Sequence, residues 1–145
     1  MNDEEYKQAT GGNLMFSVLD ETARRKVMDL AKVVSYAAGD TIIQQGAEDE
    51  DIYLVQKGRV DVQTMQEGFI IELNTLGPGT LFGEVAEVSS VRRTATVVAH
   101  DDVDLLRFDG PSLVAELRKH PTASKLLDHI VLRRAKDTIE KTFGY

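Results

Sequence analysis

The hydrophobic period of the chain changes along its length, and each change predicts a different kind of secondary structure. After Asp20, a plausible N-cap, apolar residues recur at helical spacing as far as Val34, which predicts an N-terminal helix. From Ala38 to Phe108 apolar and polar residues alternate, and glycine turns such as Lys57-Gly58 separate the alternating runs. Turns spaced at roughly 8–12 residues are typical of short antiparallel strands in a roll or barrel.

Helical spacing returns after this alternating region. Pro111 predicts the start of one helix, and Pro121 interrupts it and starts a longer one. The longer helix carries an apolar stripe that needs a partner surface. The stripe consists of Ala123, Leu127, Val131, Ala135 and Ile139. It can pack on the chain's own strands or against a second copy, and the second option predicts a homodimer.

Composition and charge narrow the class of protein. The chain has no Cys, which excludes disulfides, thiolate metal sites and Cys nucleophiles. No apolar run approaches membrane-spanning length and the polar start lacks the core of a secretory signal, so we expect a cytoplasmic protein without a membrane partner. Residues 1–110 carry a net charge of −10, whereas residues 111–145 carry +3. Because an acidic body repels phosphate backbones, we expect no nucleic-acid partner.

One short stretch carries the candidate chemistry. The residues Phe82-Gly83-Glu84-Val85-Ala86 are followed by Arg93-Thr94-Ala95-Thr96, which puts one carboxylate and one guanidinium a short loop apart. A carboxylate accepts hydrogen bonds from sugar hydroxyls, and a guanidinium can donate two parallel hydrogen bonds to phosphate oxygens. Gly83 lets backbone N–H groups approach an anion closely. These groups predict a pocket for a small sugar phosphate and not a catalytic site.

This stretch resembles the phosphate-binding cassette of the cyclic nucleotide-binding domain family. In both, an Arg follows the cassette Glu at a fixed distance, here from Glu84 to Arg93. The resemblance extends over roughly Leu14 to Phe143. It implies an α+β fold, in which an antiparallel β-roll (double-stranded β-helix, jelly-roll-like) is flanked by an N-terminal helix and two C-terminal helices. It also implies that the last helix acts as a lid.

We therefore expect a single cyclic nucleotide-binding domain over residues 1–145. Its first segment should be flexible, because it is polar and charged and ends in Gly11-Gly12. The expected parts are a flexible segment at 1–13, an N-terminal helical segment at 14–37, the β-roll at 38–110 and the C-terminal lid helices at 111–145.

The resemblance implies a role for each cassette residue. Glu84 would accept a hydrogen bond from the ribose 2′-hydroxyl, and Arg93 would pair with the singly charged cyclic phosphate. Backbone N–H groups around Gly83 and Ala86 would complete the phosphate cradle. Thr94 would touch the phosphate or the purine edge. The implied cassette contacts are Phe82, Gly83, Glu84, Val85, Ala86, Arg93, Thr94 and Ala95.

The base of the nucleotide needs apolar walls. The resemblance implies Val62 and Leu73 as walls and Asn74 near the ribose or base. Ile43 is a further candidate wall, for which a place in the core is the better interpretation. From the last helix, Arg133 or Arg134 would reach the base as a lid residue. Glu87 departs from the family pattern, which usually has an apolar residue there, and an inward carboxylate would oppose anion binding.

The sequence therefore predicts a non-enzymatic sensor that binds cAMP, or else cGMP, and relays occupancy through its C-terminal helices. No cofactor or metal is expected, and a protein effector is a possible partner. A second hypothesis, motivated by Glu87, is a β-roll interaction module without a ligand. A third, a cupin-like metal enzyme, fits less well because His100, His120 and His129 are scattered. The effector, and whether the chain is a whole protein or a fragment, stay open.

Overall fold

The computed structural model of the chain describes residues 1–89 and 92–143. Helices pack against one of two sheets, and the second sheet faces the first. The helices are α1 (Asp3–Thr10), α2 (Leu14–Ser17), α3 (Glu21–Asp29), α4 (Glu84–Ser89), α5 (Gly110–Arg118) and α6 (Pro121–Phe143). The strands are β1 (Lys32–Tyr36), β2 (Thr41–Ile43), β3 (Ile52–Lys57), β4 (Val60–Gln66), β5 (Phe69–Leu76), β6 (Leu81–Phe82), β7 (Thr96–Ala99) and β8 (Val103–Phe108).

The strands form two antiparallel sheets of four strands each, in the orders β1-β8-β3-β6 and β2-β7-β4-β5. The turn at Gly58 passes the chain from the first sheet to the second, since β3 pairs with β6 and β8 whereas β4 pairs with β5 and β7. The predicted α+β fold, an antiparallel β-roll with helices before and after it, is confirmed.

Strand β3 in the first sheet is buried on both faces along most of its length, which explains its sequence pattern. In β3, Tyr53 and Val55 belong to the core between the two sheets, whereas Ile52 and Leu54 belong to the core under the helices. A strand covered on both sides reads as a continuous apolar run rather than an alternation. The second sheet has only one covered face, so β4 and β5 show the alternation that the sequence analysis used.

The N-terminal helical segment is shorter than predicted. The Asp20 side chain accepts a hydrogen bond from the Ala23 N–H at 2.9 Å, which confirms the predicted N-cap of α3. The helix ends at Asp29, however, and β1 occupies positions where the sequence analysis expected helix to continue. The β-branched Val33 and Val34 favour a strand, and β1 pairs with β8 along its whole length. The β-roll therefore begins at Lys32 instead of residue 38, and α4 interrupts it.

The segment at residues 1–13, expected to be flexible, contains the docked helix α1. Tyr6 anchors it, because its side chain is 5% exposed and its hydroxyl donates a hydrogen bond to the Phe16 carbonyl oxygen at 2.8 Å. Burial raises the pKa of Tyr6 to about 12, against the opposing effect of Arg24. The sequence analysis missed this helix because a single aromatic residue in a polar segment forms no periodic stripe.

We expect Tyr6→Phe to lower the free energy of unfolding by about 1 kcal/mol, since the Phe16 carbonyl would lose the hydroxyl donor and keep only the longer hydrogen bond from the Leu19 N–H at 3.3 Å. Tyr6→Ala should cost about 3 kcal/mol or more, because it also leaves a cavity. Urea unfolding measures both changes, with the neighbouring exposed Lys7→Ala as the control. Equal unfolding midpoints for all three variants would show that α1 does not contribute to stability.

The C-terminal helices follow the sequence prediction closely. The Asp109 side chain caps α5 by accepting a hydrogen bond from the Ser112 N–H, and α6 begins at Pro121. Within the stripe of α6, Ala123, Leu127 and Val131 are buried against their own chain, Ala135 is exposed, and the side chain of Ile139 lies outside the described residues.

In the described ranges, no helix combines the length and apolar character that crossing a membrane would need.

Candidate functional site

Gly83 joins β6 to α4 in a conformation that a side chain would not tolerate. Its φ is +94°, a region that L residues rarely adopt. A Cβ atom there would lie 2.7 Å from the Asp51 carbonyl oxygen and 3.0 Å from Nη1 of Arg93. The glycine therefore lets the cassette backbone approach both groups closely, and it sets the direction in which α4 begins.

Arg93 is tied to the loop between β2 and β3 through its backbone and its side chain. Its N–H donates to the Ala47 carbonyl at 2.8 Å, and its carbonyl accepts from the Gly46 N–H at 2.8 Å. Its guanidinium donates to the Gly83 carbonyl at 2.9 Å and to both carboxylate oxygens of Asp49, at 3.2 and 2.7 Å. This buried cation is held in place by the fold and is not a surface ion pair.

Glu84, the first residue of α4, is 0% exposed. Nη1 of Arg134, on α6, donates a hydrogen bond to its Oε1 atom. Its Oε2 atom is also buried and has no hydrogen-bond partner among the described residues. Burial raises the pKa of the Glu84 carboxyl, and the nearby guanidinium groups of Arg134 and Arg93 oppose that rise.

Most of the predicted site residues line one cavity of about 660 Å³, a volume that includes its open mouth. Of the residues predicted from the sequence, the cavity is lined by Phe82, Gly83, Glu84, Val85, Arg93, Thr94, Ala95, Val62, Leu73, Asn74, Ile43 and Arg134. Ile43 is at the same time a buried core residue.

One predicted lid residue does not join this lining, and two cassette positions have side chains outside the described residues. Arg133 is exposed and does not line the cavity, because adjacent helical residues point about 100° apart and Arg134 takes the inward position. Ala86 and Glu87 lie in α4, but their side chains fall outside the described residues. Of the two predicted lid arginines, Arg134 lines the cavity and Arg133 does not.

The sequence analysis missed two acidic residues at the site. Asp137 lines the cavity, three positions after Arg134 in α6, and this helical spacing was a usable signal once Arg134 was placed. Asp49 holds Arg93 from a loop 44 positions away in sequence. No spacing rule connects such distant residues, so only the tertiary structure could reveal this pair.

The lining provides three kinds of surface for a ligand. Arg93 and the start of α4 offer hydrogen-bond donors to an anion, Glu84 offers a buried acceptor, and residues such as Val62 and Leu73 offer apolar walls. The arrangement suits a molecule with an anionic group, hydroxyl donors and an apolar ring. Within the described ranges, no group of three His, Asp or Glu side chains could hold a metal ion.

Comparison with known proteins agrees with this geometry. The family model described as the cyclic nucleotide-binding domain matches residues 33–120. The structure of PKAR CBD2 with bound Sp-2Cl-cAMPS is similar, at 24% identity and a TM-score of 0.78, over 94% of this chain and 89% of that chain. The catabolite activator protein of Thermus thermophilus is similar at 29% identity and a TM-score of 0.74, over 86% of this chain and 59% of its own.

A third similar structure is the regulatory domain of Toxoplasma gondii PKA with cAMP. The identity is 24% and the TM-score 0.71, over 79% of this chain and 45% of that chain. The present chain thus spans less than two thirds of the Toxoplasma and Thermus chains. Because the family model covers more than half of the sequence, and because the motif and the fold agree with it, the chain belongs to the cyclic nucleotide-binding domain family.

Proposed function

We propose that this chain is a sensor that binds a cyclic nucleotide in the cavity, with cAMP as the first candidate and cGMP as the second. The observation that carries the proposal is the buried Oε2 atom of Glu84, which has no partner among the described residues. An unpaired buried acceptor costs about 1–3 kcal/mol. A ribose hydroxyl that donates to this atom would offset that cost.

The remaining lining suits the other parts of the nucleotide. Arg93 and the backbone N–H groups in the first turn of α4 would bind the cyclic phosphate, because unpaired helical N–H groups attract anions. Val62 and Leu73 would cover the base, with Asn74 beside it and Thr94 at the phosphate or the purine edge. Two of the similar structures contain cAMP or Sp-2Cl-cAMPS, which supports cAMP as the first candidate.

The contacts of Glu84 also suggest how ligand binding in the cavity would change the position of α6. Its carboxylate accepts a hydrogen bond from Arg134, so the sugar-binding group and the lid helix share one side chain. A ligand shifts a conformational equilibrium only by its different affinity for the two states. A ribose hydroxyl at Glu84 would change the hydrogen bonding of Arg134, and α6 would then move relative to α4.

The test is calorimetric titration of the purified protein, stripped of bound ligand by refolding, with cAMP and with cGMP. We expect saturable binding, and the ratio of the two dissociation constants identifies the preferred base. At a ligand concentration 100 times Kd, binding should stabilise the protein by about 2.7 kcal/mol, which a thermal melt detects. The absence of both heat and thermal shift would contradict the proposal.

That negative result would favour a second function, a β-roll module that acts by protein contact. The observation behind this alternative is the tip of the β4–β5 hairpin, where the large apolar side chains of Met65, Phe69 and Ile70 are exposed next to one another. Monomeric proteins seldom expose adjoining apolar side chains without a partner. Titration distinguishes the two functions, because a contact module needs no nucleotide.

We further propose a homodimer through α6, where Leu132 is 72% exposed. Light scattering at high micromolar concentration should give twice the chain mass of 16.1 kDa. Leu132→Asp should shift the protein to the monomer, because it places a charge in an apolar contact. Val33→Asp, at another exposed apolar position on β1, is the matched control. A monomeric wild-type protein would contradict the dimer.

A protein effector, a cytoplasmic location and the lack of a nucleic-acid partner stay predictions. The Toxoplasma and Thermus chains are longer than the part that this chain matches. What those whole proteins do therefore transfers to this chain only as a proposal. We propose regulation through ligand binding and not catalysis, in keeping with the family.

A further inference from the structure

The partners of the Arg93 guanidinium bear directly on how strongly it can attract an anion. Nε donates to Oδ1 of Asp49 at 3.2 Å and Nη2 donates to Oδ2 at 2.7 Å, which makes a two-point ion pair. Nη2 also donates to the Asp51 carbonyl at 2.6 Å, and Nη1 donates to the Gly83 carbonyl at 2.9 Å. The Arg93 side chain is 2% exposed and that of Asp49 is 45% exposed.

These contacts use most of the donors that a phosphate would need. A guanidinium has five N–H donors. Four of them are engaged by the contacts above, so within the described residues one Nη1 hydrogen is left for a ligand. Asp49 also cancels the positive charge of Arg93, and it lies in a run of four consecutive acidic residues at 48–51.

The other charged residues that line the cavity do not restore the positive charge that Asp49 cancels. Arg134 is paired with Glu84, and Asp137 adds a carboxylate to the lining. An anionic ligand would therefore enter a cavity in which neither arginine presents an unopposed positive charge. The interaction between charges a few Å apart is strong where water is excluded, so the charge of Asp49 should affect ligand affinity.

We propose that Asp49 lowers the affinity of this cavity for an anionic ligand by neutralising Arg93, and so sets the ligand concentration to which the protein responds. This inference rests on the proposed function. Asp49→Asn removes the charge, keeps the size of the side chain and leaves one oxygen that can still accept from Arg93. The variant should bind cAMP about three- to tenfold more tightly than the wild type, as expected for one removed charge that is partly screened by solvent.

The experiment titrates cAMP into wild type, Asp49→Asn and Glu48→Gln at low and at high salt. Glu48 is the matched control, because it pairs with the exposed Arg92 at 2.7 Å and removal of its charge leaves Arg93 paired. Only Asp49→Asn should bind more tightly, and its gain should shrink as salt rises, because salt screens partly exposed charges. A merely structural role of Asp49 would not produce that salt dependence.

Two results would overturn the inference. If folded Asp49→Asn binds cAMP equally well or more weakly than the wild type, Asp49 positions Arg93 for the ligand instead of weakening it. If neither the wild type nor the variants bind cAMP or cGMP, the proposed function fails and this inference fails with it. A thermal melt confirms folding, and Asp49→Ser removes the same charge in case Asp49→Asn does not fold.

Discussion

Replacing Arg93 by Leu should weaken the binding of cAMP by about 10- to 100-fold, because hydrogen bonds to charged groups contribute about 1.5–3 kcal/mol. The variant loses the cation that the proposed phosphate site requires. It should also be less stable, since the Gly83 and Asp51 carbonyls would lose the donor that now satisfies them. Calorimetry measures the affinity, and a thermal melt measures the loss of stability.

Arg92→Leu is the matched control for this substitution. Arg92 is adjacent in sequence and exposed, and it pairs with Glu48 outside the cavity lining. We expect its nucleotide affinity to stay within about twofold of the wild type, because surface ion pairs contribute little. Arg93→Lys keeps the positive charge but loses the planar guanidinium, which can donate to two phosphate oxygens at once. It should therefore give an intermediate affinity. Full affinity in folded Arg93→Leu would show that the phosphate binds elsewhere.

Replacing Glu84 by Gln should have opposite effects on stability and on binding. Burial raises the pKa of Glu84, which means that the fold disfavours the ionised carboxylate. At neutral pH the substitution should therefore stabilise the ligand-free protein, because the neutral amide avoids the cost of burying a charge. Arg134 keeps contact with water at 29% exposure, so the loss of its partner should cost less than this gain. Nucleotide affinity should fall about tenfold, because the charged acceptor is lost.

The stability difference between Glu84→Gln and wild type should depend on pH. A carboxyl whose pKa is raised by folding binds its proton more tightly in the folded state, so the wild type gains stability as pH falls through that pKa. The advantage of the variant should be largest at neutral pH and should disappear once the pH falls below the ordinary pKa of a glutamate carboxyl, about 4.3. Thermal melts from pH 7 to pH 4, with the exposed Glu72→Gln as control, measure this change. A variant less stable than wild type at pH 7 would show that the ion pair with Arg134 outweighs the cost of burial.

Prediction from sequence succeeded where the signal is local. The predicted cassette contacts from Phe82 to Ala95 have a fixed spacing, and those whose side chains the structure describes all line one cavity. The N-cap at Asp20 and the proline at the start of α6 were likewise readable, because a cap or a proline acts on its own helix turn. The alternation in β4 and β5 was visible because only one face of that sheet is covered.

Prediction failed where packing decided the outcome. The segment from Lys32 to Tyr36 fits a helical spacing as well as a strand, and pairing with β8 settles it as β1. The segment from Asp3 to Thr10 has a single large anchor, Tyr6, whose burial depends on the surface offered by the rest of the fold. In both cases the decisive contacts are with residues distant in sequence, so no local pattern could reveal them.

The sequence by itself determined the family, the class of fold and the cassette that carries Glu84 and Arg93, because these depend on residue types at short, fixed spacings. Only the tertiary structure decided that Arg134 and not Arg133 contacts Glu84, and that Asp49 forms an ion pair with Arg93. Those pairs join positions 44 to 50 residues apart. Their formation depends on how the β-roll brings the loop at 48–51 and α6 to the cassette, which is a property of the packed chain and not of any one segment.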